Sequence, residues 1–201
     1  MKVLAVGLIY GNKPLDVIYS NVARAGYPLH HTTVCTEGIA NALNDGIDLM
    51  LAGDYTAVAF LSNDITEPDN WLRDKVTALT TYPGAGIVAS SIHEVETVIQ
   101  SQLIIGNWLI SRRTIERVGY FNESMFPYGP VDLDYCERCK AAQISTYYVL
   151  NCKADHPHEH ASGNEYGYDK NEMVAKYWQQ FNQDARAYQD GTLGYHIKRL
   201  L

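Results

Sequence analysis

The chain has 201 residues, of which 46% are hydrophobic and 19% are charged, and its formal net charge is −7. This composition indicates one globular domain that is long enough to form a hydrophobic core. An acidic chain is not expected to bind nucleic acid through the phosphates. The N-terminal apolar run is too short for a signal peptide, and no stretch approaches the roughly 20 apolar residues of a membrane span. We therefore expect a cytoplasmic protein whose four cysteines are reduced.

Short apolar segments alternate with amphipathic ones in the first 90 residues. The alternation predicts an α/β fold with a mostly parallel central sheet flanked by helices. Glycine and proline mark most of the breaks between the segments. The predicted strands are 3–9, 32–35, 57–61 and 85–89, and the predicted helices are 15–25, 39–51 and 68–80.

The pattern loosens after residue 90. Ser111 is a suitable N-cap for the first helix of this half, and acidic residues open the second. The last segment is long and amphipathic, with aromatic and aliphatic residues on one side. The predicted strands here are 95–99, 103–110 and 146–150, and the predicted helices are 112–118, 131–142 and 169–188.

Three polar residues follow the apolar strand 57–61 directly, namely Ser62, Asn63 and Asp64. Open α/β sheets bind their ligands at the carboxyl ends of the strands. Carboxylate and amide oxygens suit Mg²⁺ or Mn²⁺ that bridges the phosphates of a nucleotide. Asn and Asp are also common in plain turns between a strand and a helix. The residues alone leave both interpretations open.

Three longer stretches carry a resemblance to one enzyme family. They are NALNDGIDLMLAGDYTAVAFLSNDITEPDNWL at 41–72, GNWLISRRTIERVGYFNESMFPYGPVDLDYCER at 106–138 and HPHEHASG at 156–163. They resemble the Asp-x-Asp segment, the acceptor segment and the His-containing loop of inverting, family-2-type glycosyltransferases with the GT-A fold. The resemblance implies one GT-A domain at 1–165, with a nucleotide-binding half at 1–90 and an acceptor half at 91–165. A helical extension would follow at 166–201.

The resemblance also implies a reaction and a site. A sugar would move from a nucleotide-sugar donor to an acceptor hydroxyl with the help of a divalent cation, Mn²⁺ or Mg²⁺. Asp64 would bind the cation together with His158 or His160, and Asp132 would be the general base. The acceptor stays open among a glycan, a protein, a lipid carrier and a modified DNA base. The implied nucleotide-binding residues are Ile9, Tyr10, Thr36, Glu37, Asn63 and Asp64.

The sequence departs from the family pattern at two positions. Ser62 stands where the first acid of Asp-x-Asp would be, which leaves Asp64 as the metal carboxylate. Val131 stands where many relatives have a Glu before the acid that matches Asp132. Asp134, the second acid in this helix, is interpreted as a favourable charge near the helix N-terminus.

A different function is suggested by the spacing Cys136-x2-Cys139-x12-Cys152-x3-His156, which is that of a zinc site. It would indicate a zinc-stabilised interaction or nucleic-acid-binding module without catalysis. Against this, Cys136 and Cys139 fall within a segment of helical periodicity. An NAD-binding protein is disfavoured because the first strand is not followed by G-x-G-x-x-G.

Overall fold

A seven-stranded sheet lies at the centre of the part of the chain that the computed structural model describes, residues 1–9, 15–35, 37–91, 99–101, 107–156 and 169–199. The strands are β1 (Val3–Leu8), β2 (Leu29–Val34), β3 (Ala57–Ser62), β4 (Ala85–Ser91), β5 (Ile99–Ser101), β6 (Trp108–Ser111) and β7 (Ser145–Lys153). The helices are α1 (Asp16–Ala23), α2 (Ile39–Ala52), α3 (Trp71–Thr81), α4 (Arg112–Val118), α5 (Val131–Ala141) and α6 (Lys170–Asp190).

The strand order in the sheet is β2-β1-β3-β6-β4-β7-β5. Strands β1, β2, β3, β4 and β7 run in one direction, and β5 and β6 run antiparallel to their neighbours. The prediction of a mostly parallel sheet flanked by helices is therefore confirmed. The alternation of segments did not predict that β6 separates β3 from β4.

Helices cover both faces of the sheet, and each face has its own hydrophobic cluster. All six residues of β1 are buried, which is why this strand is continuously apolar rather than alternating. Leu4, Val6 and Leu8 pack in the cluster that includes residues of α2, α4, α5 and α6. Val3 and Ala5 point to the opposite face, where residues of α1 and α3 pack.

The segment between β3 and α3 differs from the prediction. The helix begins at Trp71 rather than near Pro68, because Asn70 has a left-handed backbone with φ of 62°. The N–H of Asn70 donates to the carbonyl oxygen of Arg24 at 2.7 Å, which ties the segment to the end of α1. Residues 63–70 thus form a loop rather than the first turn of a helix. Of the two predicted strands 95–99 and 103–110, residues 95–98 and 103–106 lie outside the described residues.

The C-terminal helix α6 packs on α5 through a buried polar group. Arg138 Nε lies 2.9 Å from Asp134 Oδ2, and both side chains are fully buried. The hydroxyl of Tyr188 on α6 donates to Asp134 Oδ1 at 3.1 Å. Arg138 also donates to the carbonyl oxygen of Val118 at 3.0 Å. Asp134 is therefore a core residue that joins three helices, and not only an acid placed for the helix dipole.

Among the helices described here, none combines the length and apolar character that crossing a membrane requires.

We predict that Tyr188→Phe lowers the free energy of unfolding by about 1–3 kcal/mol, since the buried Asp134 carboxylate loses one hydrogen-bond donor while the ring still fills its place. Urea denaturation of the purified protein measures this. Tyr19→Phe is the matched control, because Tyr19 is 53% exposed and its change should have little effect. Equal stabilities of Tyr188→Phe and wild type would contradict the role given to this hydroxyl.

Candidate active site

The carboxyl ends of β1, β2 and β3 bring several predicted site residues to one edge of the sheet. The three strands are parallel and in register, with Leu8 of β1 opposite Ser62 of β3. Ile9, Glu37, Asn63 and Asp64 come after these ends in the sequence. Ile9 is anchored by its N–H, which donates to the carbonyl oxygen of Val34 at 3.0 Å. Four predicted site residues lie outside the described residues: Tyr10, Thr36, His158 and His160.

Asp64 lies beside a histidine at this edge. The hydroxyl of Ser62 donates to Asp64 Oδ1, and His156 Nε2 lies 3.7 Å from Asp64 Oδ2. An isolated antiparallel bridge brings the two segments together, with N–H···O distances of 2.8 and 2.9 Å between Thr66 and Asp155. A carboxylate and an imidazole that are 92 residues apart in the sequence, by 156 − 64, thus face one another.

A buried polar cluster fixes the loop that carries Asp64. Lys75 Nζ lies 2.9 Å from Glu67 Oε1, and both side chains are fully buried. Ser90 on β4 donates to the other oxygen of the same carboxylate. Asn21 on α1 accepts from the N–H of Glu67 at 2.8 Å and donates to the carbonyl oxygen of Ile65 at 2.7 Å. The loop is thereby tied to α1, α3 and β4.

Sequence reasoning missed this cluster, although one signal was present. Lys75 lies three residues after Leu72 and four before Leu79, both buried, so that it occupies the apolar face of α3. A lysine on the apolar face of a helix needs a carboxylate partner if it is to be buried. Glu67 supplies that partner from the loop.

Asp132 lies in the first turn of α5. This helix precedes β7 and packs against it, so its N-terminus points to the edge where the parallel strands end. The loop before it contacts the start of α2, where the N–H of Ile39 donates to the carbonyl oxygen of Pro127 at 3.1 Å. The ring of Phe126 packs against Gly38, where a Cβ would lie only 2.8 Å from it. The loop before α5 therefore adjoins the segment that carries Glu37.

The carboxyl group of Asp132 has an unusual electrostatic environment. It accepts a hydrogen bond from the N–H of Leu133 at 2.9 Å, and the residue is partly buried. Burial disfavours the charged form and raises the pKa of Asp132 to about 6, although the backbone hydrogen bonds oppose the shift. Val131 beside it is buried in the core, so the residue before Asp132 is a packing residue and not a second acid.

The zinc-site interpretation does not hold among the residues described. Cys136 and Cys139 pack in the cluster on one face of the sheet, and Cys152 packs on the other face. Burial raises the pKa of Cys152 to about 12 and that of Cys139 well above its usual range. His156 adjoins Asp64 instead. The described residues contain no group of three or more His, Cys, Asp and Glu side chains that is arranged for a metal.

Asp64 and His156 nevertheless provide ligands that suit a divalent cation. A carboxylate and an imidazole together suit Mn²⁺, which accepts nitrogen ligands more readily than Mg²⁺ does. These two ligands leave further coordination positions for a bound nucleotide and water. This resembles the way such ions are usually held at phosphate sites, with few protein ligands.

Known proteins resemble this chain in structure but not detectably in sequence. No protein-family model and no curated protein matches the sequence. A structure of GalNAc-T7 with UDP, GalNAc and Mn²⁺ is 10% identical with a TM-score of 0.62, over 92% of this chain and 50% of that one. The mannosyltransferase PcManGT from Pyrobaculum calidifontis, in complex with GDP-Man and Mn²⁺, is 15% identical with a TM-score of 0.60. The match covers 94% of this chain and 63% of that one. A197 from STIV is 17% identical with a TM-score of 0.54, over 78% of this chain and 85% of that one.

These similarities identify the fold. The chain has the GT-A fold, as the sequence resemblance predicted. It spans 50% and 63% of the lengths of GalNAc-T7 and PcManGT, so it corresponds to part of each of those proteins.

The raised pKa of Asp132 leads to a prediction about stability. Because the folded protein binds this proton more tightly than the unfolded chain does, the wild type loses stability as pH rises from about 4 to about 6. Asp132→Asn has no charge to bury, so we expect it to be about 1–3 kcal/mol more stable than wild type at pH 7. The difference should disappear near pH 4, as measured by urea denaturation at both pH values.

Asp16→Asn is the matched control, since Asp16 is an exposed acid in the first turn of α1. It should not gain stability at pH 7. An Asp132→Asn variant that is less stable than wild type at pH 7 would show that burial does not raise this pKa.

Proposed function

We propose that the protein is a metal-dependent inverting glycosyltransferase that moves a sugar from a nucleotide-sugar donor to an acceptor hydroxyl. The observation that carries the proposal is the pairing of Asp64 with His156 at the carboxyl edge of a GT-A sheet, with Asp132 at the start of an adjoining helix. Both GalNAc-T7 and PcManGT were solved with Mn²⁺ and with a nucleotide or nucleotide sugar, which supports the same class of ligand here.

The donor diphosphate would be held at the end of β3. Asp64 and one imidazole would be protein ligands of a divalent cation, and His156, His158 and His160 are the candidates for the imidazole. When bound, the cation would neutralise the charge that develops on the leaving diphosphate. The bonds of Ser62 and of the Thr66–Asp155 bridge would keep these ligands in place while the donor enters.

The nucleoside would lie beyond the ends of β1 and β2. Glu37 is exposed there and would accept hydrogen bonds from ribose hydroxyls or from the base. Tyr10 would stack on the base. The backbone N–H of Ile9 is hydrogen-bonded to the carbonyl oxygen of Val34, so Ile9 would form a fixed surface against which the nucleoside lies. Thr36 and Asn63 complete the proposed donor-binding residues.

Asp132 would take the proton of the acceptor hydroxyl. With a pKa of about 6 it is mostly ionised at neutral pH, yet it is a stronger base than a carboxylate in water. The hydroxyl oxygen would attack the anomeric carbon while the bond to the diphosphate breaks on the opposite side. A single displacement of this kind inverts the anomeric configuration.

The proposed division of the chain follows from these roles. Residues 1–90 would form the nucleotide-binding half and residues 91–165 the acceptor half of one domain, 1–165. Residues 166–201 would form a helical extension, whose helix α6 supports α5 through Tyr188. The acceptor would be a glycan, a protein, a lipid carrier or a modified DNA base.

We predict that Asp64→Asn abolishes Mn²⁺-dependent binding of a nucleoside diphosphate, because the amide cannot replace the charge of the carboxylate. Isothermal titration of UDP and of GDP, with Mn²⁺ and with chelator, measures this. Asp69→Asn is the control, since Asp69 belongs to the same loop and its side chain is 84% exposed. Retention of wild-type affinity by Asp64→Asn would remove Asp64 from the metal site.

A second prediction concerns catalysis by Asp132. Asp132→Asn keeps the shape of the side chain but accepts no proton, so kcat should fall by about 10²–10⁴-fold while the Kd of the donor changes little. The donor is first found by a thermal-shift screen of nucleotide sugars with Mn²⁺. In the wild type, kcat/KM should fall as pH drops below about 6. Transfer by Asp132→Asn within a few-fold of wild type would assign the base elsewhere.

A further inference from the structure

Ser62 has two contacts that a plain turn does not require. Its hydroxyl donates to Asp64 Oδ1, and its backbone N–H donates to Asn107 Oδ1 at 2.7 Å. The oxygen of Asp64 that Ser62 does not hold is Oδ2, which is the oxygen next to His156 Nε2. Ser62 thus fixes which oxygen of the carboxylate is directed toward the imidazole.

Asn107 is itself held in place by a buried lysine. It is only 2% exposed and lies immediately before β6, the antiparallel strand beside β3. Its carbonyl oxygen accepts from Lys75 Nζ at 3.0 Å, and the same ammonium group is paired with Glu67 at 2.9 Å. A continuous series of contacts therefore runs from Glu67 through Lys75, Asn107 and Ser62 to Asp64.

We propose that Ser62 and Asn107 are positioning residues for the cation site. Asn107 holds the backbone of Ser62, and the Ser62 hydroxyl holds Asp64 so that Oδ2 is presented to the cation beside His156. The inference rests on the proposed function, because it takes Asp64 as the metal ligand. Ser62 occupies the place of an acid in the resembling motif, and here it orients the remaining carboxylate instead of adding a second charge.

The buried ion pair explains why the positioning is rigid. Lys75 and Glu67 are excluded from solvent, and they bond to each other, to Asn107 immediately before β6 and to Ser90 of β4. Partners that orient a metal ligand are commonly worth 10–100-fold in metal affinity. Loss of the Ser62 hydroxyl should therefore weaken metal binding without removing any ligand.

The test compares Ser62→Ala with Ser62→Thr. The dissociation constant of Mn²⁺ is measured by electron paramagnetic resonance of the free ion, in the presence of UDP or GDP, whichever binds the wild type. Ser62→Ala should weaken Mn²⁺ binding by about 10–100-fold. Ser62→Thr keeps a hydroxyl and should restore affinity close to that of the wild type. Ser145→Ala is the matched control, because Ser145 is the first residue of β7 and lies at the sheet edge opposite to Asp64. This variant should bind Mn²⁺ as the wild type does.

Asn107→Ala supplies a second measurement. Because Asn107 acts through Ser62, the double variant Ser62→Ala, Asn107→Ala should lose about as much affinity as the more affected single variant, and not the product of the two losses. Urea denaturation of each variant shows whether it is folded. If Asn107→Ala does not fold, the comparison of Ser62→Ala with Ser62→Thr is the deciding measurement.

The outcomes separate the inference from the proposed function. A wild type that binds no Mn²⁺ with either nucleotide overturns the proposed function itself. A wild type that binds Mn²⁺, with Ser62→Ala equally tight, overturns only the positioning role. The positioning role is also overturned if Ser62→Thr binds as weakly as Ser62→Ala, because the hydroxyl would then not be the group that matters.

Discussion

The ion pair between Lys75 and Glu67 is the interaction on which the rest of the site depends. Two charges removed from water are tolerated only when each has hydrogen-bond partners. Here the partners are Asn107, immediately before β6, and Ser90 of β4. Since the pair joins α3, β4 and the residue before β6 to the loop after β3, the loop cannot move without leaving a buried charge unpaired. The position of Asp64 is in this way fixed by the core of the protein.

The two carboxylates of the proposed site, Asp64 and Asp132, lie in different environments. Asp64 lies in a polar environment, beside the hydroxyl of Ser62 and the imidazole of His156. Asp132 sits where burial raises its pKa, as proton transfer requires. The residue before Asp132 adds to this difference, because Val131 is an apolar core residue and not an acid. In the proposed function, Asp64 would bind the cation and Asp132 would carry out the proton transfer.

Local patterns in the sequence predicted most elements, because apolar strands such as β1 and amphipathic helices such as α2 are set by their own residues. The place of β6 between β3 and β4 is a long-range pairing that no local pattern contains. Sequence spacing likewise suggested zinc ligands, but it could not show that Cys152 packs on the face opposite Cys136. The family resemblance implied His158 or His160 as the metal ligand, and only the bridge between Thr66 and Asp155 reveals that His156 adjoins Asp64.

The location of the cation is the most direct test of the proposed site. Crystals of the protein grown with Mn²⁺ and a nucleoside diphosphate would give an anomalous signal that marks the ion without reference to any other assignment. We expect a peak within about 2.0–2.3 Å of an Asp64 oxygen, at the carboxyl edge of the sheet, with the diphosphate on its open side. A peak that lies away from Asp64, with the nucleotide well ordered in the same crystal, would contradict the assignment of the metal site.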